Sequence, residues 1–142
     1  MKTDIALVAL ASFVLAGCVS QPMMVRPGIE YAAYERDRTE CAARATQSIP
    51  SNTQFGWAPY VGIYSVDTNA GIKRKFFEQC MRSRGYSRHE LPMCDGKTIS
   101  AALKAVRTDA IMKTKIARTG ELCWFRDPRT GDTVIFAKSE GG

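Results

Sequence analysis

The chain has 142 residues, with twenty Lys and Arg against fourteen Asp and Glu, for a formal net charge of +6. That length fits one small domain and excludes a large core; whatever core forms is thin. The positive balance favours anionic neighbours over cationic ones without naming a partner.

The first residues read MKTDIALVALASFVLAGC. Lys2 gives a short positive segment, and Ile5 to Ala16 is an almost unbroken apolar run. As a helix that run would span about 18 Å, against roughly 30 Å of bilayer hydrocarbon. It is too short for a membrane span and fits a cleaved export signal. Leu15, Ala16, Gly17 and Cys18 then match all four positions of a lipobox. Over residues 1–18 the chain resembles bacterial lipoproteins, with Asp4 as a departure, since acidic residues are unusual so early. The resemblance implies that residues 1–17 are removed and that Cys18 becomes the first residue. Its sulfur would carry a diacylglycerol, and its amino group an acyl chain such as palmitate. The thiolate is the nucleophile that takes the lipid, and two or more acyl chains hold stably where one does not. Val19 in place of Asp implies sorting to the outer membrane, lipid-anchored and facing the periplasm.

Assigning Cys18 to the lipid leaves Cys41, Cys80, Cys94 and Cys123. An even number of cysteines in an oxidising compartment reads as two disulfides.

Residues 18–29, the lipidated Cys and a flexible tether, contain Pro22, Pro27 and Gly28, which break regular structure. Residues 30–142 are then a single small periplasmic domain. Residues 30–48 read as a helix: Tyr34, Cys41, Ala45 and Ile49 form one stripe at spacings of seven, four and four. Pro50 stops it. Residues 50–66 place Phe55, Trp57, Tyr60 and Tyr64 among Pro and Gly with no helical period. The expectation is an extended loop over the fold, its aromatics plugging the surface. The competing reading is an exposed aromatic platform for a glycan or peptide.

Residues 68–84 read as a second helix, with Asp67 or Asn69 as cap and Ile72, Phe76 and Cys80 repeating every four residues. Gly85 stands at the C′ position, where a positive φ is needed. Lys73, Arg74, Lys75, Arg82, Arg84 and Arg88 make this part basic. Asp67, Asn69 and Glu78 fall at positions one, three and twelve of a calcium loop, but Gly71 stands at position five and Ile72 occupies the turn. Three consecutive cations follow, so a capped helix is the better reading. Residues 86–97 read as an extended connector. Residues 98–107 suggest a short third helix presenting Ile99, Leu103 and Val106.

The C-terminal part repeats RTG at 118–120 and 129–131 between short β-forming runs. The expectation is a three-stranded antiparallel meander at about 110–117, 121–126 and 133–138; the alternative continues the third helix to about 118. The fold class is therefore α+β: a two-helix hairpin, a short third helix and a C-terminal meander, stapled by disulfides.

Within residues 64–94, Tyr64, Ser65, Asp67, Asn69, Cys80, Met81, Gly85, Tyr86, Leu91, Pro92 and Cys94 follow a pattern Tyr-Ser-x-Asp-x-Asn, Cys-Met-x-x-x-Gly-Tyr, Leu-Pro-x-Cys. In this the chain resembles small uncharacterised lipoproteins of Gram-negative bacteria. That resemblance supports the disulfide framework and brings no activity with it.

Catalytic constellations are not found. His89 is the one histidine, and there is no Gly-x-Ser-x-Gly elbow, His-Glu-x-x-His pair or Gly-rich phosphate loop. Cysteine gaps of 39, 14 and 29 residues suit staples better than a four-Cys zinc site. No cofactor or metal is expected. Glu30, Glu35, Asp37 and Glu40 interleave with Arg36, Arg38 and Arg44, which reads as an ion-paired helix face. Four cysteines allow three pairings. Cys41 with Cys80 is expected because both lie on apolar stripes of facing helices; Cys94 with Cys123 would tie helix to sheet.

The expected function is a non-enzymatic structural or interaction module of the cell envelope. Its partners would be the membrane, through Cys18, and anionic envelope polymers or an envelope protein, with no nucleic acid. The alternatives are an inhibitor of an envelope-attacking agent such as a lysozyme or phage factor, which electrostatics disfavour for a basic lysozyme, and an envelope hydrolase.

Overall fold

A computed structural model describes residues 19–138. Cys18 and the signal segment lie outside the described residues. The elements in order are β1 (Ser20–Val25), α1 (Tyr31–Ser48), β2 (Thr53–Ala58), β3 (Gly62–Asp67), α2 (Ala70–Ser83), β4 (Ser87–Pro92), α3 (Gly96–Arg107), β5 (Leu122–Arg126) and β6 (Thr133–Ala137). Short 3-10 turns at Ala110–Lys113 and Thr119–Glu121 join α3 to β5.

The two long helices form the expected hairpin. Tyr34, Cys41 and Ala45 are the buried stripe of α1. Cys41 bonds Cys80 of α2, with the Cα atoms 5.6 Å apart. Beside the bridge, Arg84 donates to Asp37 Oδ1 at 2.6 Å and to Glu40 Oε2 at 2.7 Å. Asp37 and Glu40 of α1 are thus matched by the cation that follows α2, while Glu35 pairs with Arg38 on α1 itself. Helix α2 ends as its sequence requires. Gly85 takes φ +86°; its N–H reaches the Arg82 carbonyl and the Tyr86 N–H reaches the Met81 carbonyl, a Schellman closure.

The strands form three separate two-stranded antiparallel sheets, β1–β4, β2–β3 and β5–β6. This corrects the expected three-stranded meander. Residues 110–113 turn as a 3-10 helix after Asp109, at φ 53°, ends α3. The following residues do bond in extended form, but to the N-terminal segment. Gly28 N–H donates to the Ile116 carbonyl and Ile116 N–H to the Ile29 carbonyl, each at 2.8 Å. Tyr31 N–H, one of the orphan donors at the start of α1, donates to Thr114. No strand forms at 110–117: only an isolated bridge joins Lys115 to Glu30, a partner distant in sequence. The alternative of a longer third helix is also excluded, since α3 stops at Arg107.

Two further readings are corrected. The tether at 18–29 is structured from Ser20: β1 pairs along its length with β4, Ser20 opposite Pro92 and Val25 opposite Ser87. Met24 and Val25 are buried, which gives this segment reason to dock. Pro22 is tolerated because the sheet has only two strands and each has a free edge. The connector at 86–97 is, over Ser87–Pro92, the strand β4 that β1 needs.

The second bridge, Cys94–Cys123, joins the end of β4 to β5 with Cα atoms 4.9 Å apart. Cys94 N–H also donates to the Trp124 carbonyl at 2.8 Å. Leu91, Leu122, Phe125, Ile135, Met81 and Tyr34 are fully buried in the same core as this bridge. Asp127 closes the β5–β6 turn: its side chain accepts from Arg129 N–H at 2.9 Å, and Gly131 takes φ +75°.

Candidate binding surface

Residues 50–66 do not lie over the core as a loop. They build most of a β-hairpin whose strands pair Phe55 with Ser65, Gly56 with Tyr64 and Trp57 with Ile63. No residue between 50 and 67 belongs to the core. Paired residues share a face, so Phe55, Trp57 and Ile63 stand together. They are 77%, 70% and 80% exposed. Tyr60 and Val61 at the turn are exposed too. The aromatics therefore are not plugs; the exposed-platform reading is the one the geometry fits. On the opposite face the Tyr64 ring lies across Gly56, where an added Cβ would stand 2.5 Å from the ring. A side chain at position 56 would displace the far end of the Tyr64 side chain, which is 43% exposed. At the turn Tyr60 adopts φ +68°, a conformation uncommon for a non-glycine residue.

A two-stranded hairpin alone is marginal in water. This one is fastened at its base by Asp67. Asp67 Oδ1 accepts from the Asn52 and Asn69 N–H groups at 3.1 and 3.0 Å, and Oδ2 accepts from Lys73 Nζ at 2.7 Å. Lys73 also donates to Ser51 Oγ at 2.6 Å, and Asn69 Nδ2 to the Pro50 carbonyl at 2.8 Å. The Lys73 contact, followed by the two backbone donors, lowers the Asp67 pKa to about 2. Asp67 locks the hairpin base to Asn69, the residue before α2, and its carboxylate is committed to Lys73; neither Asp67 nor Asn69 makes a side-chain cap bond to the first turn of the helix. Glu78 faces Arg82 and Arg88 instead, so the calcium-loop residues do not converge.

Along α2 lies a basic groove of about 610 Å³, lined by Arg74, Lys75, Arg82 and Arg88 with the single carboxylate Glu78. Among the described residues, Arg74 and Lys75 have no carboxylate partner.

The other residues singled out in the sequence sit elsewhere. Cys41, Cys80, Cys94 and Cys123 are the two staples. His89 is half-buried on β4, with Nε2 2.7 Å from Ser87 Oγ. Neither residue lines the clefts found along α2. Asp37 is engaged by Tyr86 and Arg84: burial opposes its charge, but the hydrogen bonds from Tyr86 and Arg84 outweigh this and lower its pKa. Burial, then the bond to Asp37, pushes the Tyr86 phenol up.

Fold and surface together define a class in coarse terms: an α+β domain with two disulfides, presenting an uncovered aromatic hairpin beside a basic helix. No family model matches the chain, and no curated protein or solved structure matches it.

Proposed function

We propose that this chain is a lipid-anchored module of the bacterial outer membrane, held on the periplasmic side through Cys18, that works by binding rather than by catalysis. The β2–β3 hairpin is its contact surface. The observation that carries the binding reading is the joint exposure of Phe55, Trp57 and Ile63 on one hairpin face. Exposed apolar clusters of this kind mark interaction sites. The lipobox residues Leu15 to Cys18 carry the anchoring reading. The positive charge suits an envelope surface rich in phosphate and carboxylate.

The experiment separates anchor from contact. Cells are labelled with a palmitate analogue while expressing the native chain or Cys18→Ser. Label on the native chain and its loss in the variant support the anchor; equal labelling removes it. Envelope extracts are then probed with the native chain and with Trp57→Ser. Material retained by the native chain and lost by the variant supports the hairpin as contact surface; equal retention removes it.

A further inference from the structure

We infer that the β2–β3 hairpin docks on an anionic phospholipid bilayer, its tip entering the headgroup–acyl boundary while the basic groove of α2 lies against lipid phosphates. This deepens the reading of the hairpin as a contact surface and rests on it.

Three observations converge. The first is composition. Residues 53–66 carry no charged side chain. From Trp57 to Tyr64 the hairpin presents Trp, Ala, Pro, Tyr, Val, Gly, Ile and Tyr, while its polar Thr53, Gln54 and Ser65 stand nearer the base. Trp and Tyr rings, apolar with one polar atom, settle at the membrane–water boundary. The outer two residue pairs and the turn reach about 10 Å, the depth of an interfacial segment. A glycan or polar protein partner would be met by hydrogen-bonding groups at the tip, and this tip offers few.

The second is charge. Arg74 and Lys75 lie in the first half of α2, directly after the hairpin, and the groove they share with Arg82 and Arg88 holds one carboxylate. Cations on the helix that follows an apolar tip suit a bilayer surface, phosphate outside and hydrocarbon within.

The third is direction. Arg26, just past β1, donates to the Arg84 carbonyl at the C-terminal end of α2. Gln21 and Pro22, at the start of β1, share a cleft of about 450 Å³ with Arg74 and Phe77. Strand β1 therefore runs back along α2, bringing its first residues toward the end from which the hairpin leaves. The described chain begins at Val19, one peptide bond after Cys18. A lipid on Cys18 and the hairpin tip would address the same surface.

The test uses Trp57 as its own probe. The full chain is reconstituted into vesicles of phosphatidylglycerol and phosphatidylethanolamine carrying nitroxide-labelled lipid. Trp124, buried at 8% exposure, gives a constant background. Trp57 emission is expected to move to shorter wavelength and to be quenched by shallow nitroxides. Tyr60→Asp should abolish both effects while keeping the fold, because Asp tolerates the left-handed turn position. Arg74→Gln and Lys75→Gln should each lower the ratio of inserted to free hairpin about fivefold, as loss of one surface cation does. Trp57 that keeps its water-exposed emission on vesicles and is quenched by aqueous iodide overturns the inference. So does shielding of Trp57 without lipid together with a doubled solution mass, which would assign the face to a second copy. The mass of Cys18 is read separately. An unmodified Cys18 with quenched Trp57 removes the anchor alone, and an acylated Cys18 with unquenched Trp57 removes the docking alone.

Discussion

Gly85 shows how one residue without a side chain holds several others in place. Its positive φ lets the chain leave α2 and return as β4, and it sets Arg84 against α1 and Tyr86 against Tyr34, whose ring centroids are 6.0 Å apart. An added Cβ would meet only Arg26 atoms at ordinary contact distance. Gly85→Ala therefore isolates backbone strain, of about 1 kcal/mol. Thermal unfolding should fall by about 4 °C for a chain of this size; an unchanged midpoint would mean the closure tolerates an L residue. Gly85 was readable from sequence, because an apolar stripe at period four ended just before it. In the sequence Arg84 is only one of several basic residues. Its pairing with Asp37 and Glu40 lies 47 and 44 positions away, a separation that no local pattern encodes.

At the scale of elements, the helices were readable and the sheets were not. A helix buries its own stripe and satisfies its own backbone, so periodicity nearly suffices. A strand needs a partner, and the choice of partner is a long-range fact. Residues 114–116 found theirs at 28–31, and residues 20–25 found theirs at 87–92. The hairpin at 53–67 is hard to read for another reason. Phe55 and Trp57 alternate as in a strand, but Gly56, Pro59 and Gly62 interrupt the run, and the face they form is uncovered. Its stability is argued from Asp67. The folded pKa of Asp67, about 2, lies below the value of about 3.9 expected in an unfolded chain. Its contribution is therefore complete above about pH 4 and is lost as pH falls through about 2. Hydrogen-exchange protection of residues 53–66 should hold from neutral pH to about 4 and decline below it. Asp67→Ala should lose that protection at neutral pH while the amides of α1 and β5 keep theirs. Equal loss throughout would show that Asp67 supports the whole domain.

The molecule as a whole is held by two covalent staples around a small core. Cys41–Cys80 closes a separation of 39 residues and Cys94–Cys123 one of 29. The chain-entropy model values each at roughly 3.5–4 kcal/mol, against a net stability of about 5–15 kcal/mol for a small domain. Cys94→Ser with Cys123→Ser should lower urea-unfolding stability by about that amount, and reduction of both bridges should unfold the chain. A reduced chain that keeps its cooperative transition would mean the core suffices. The hairpin stands outside this stapled body, so it can meet a partner without disturbing the core. The most direct test of that claim is photocrosslinking in intact cells, with a photoreactive amino acid at position 57 and a control at Arg129, a partly exposed residue on the β5–β6 turn. Crosslinks at 57 well above those at 129, and dependent on Cys18, are the predicted result; equal crosslinking at the two positions would contradict it.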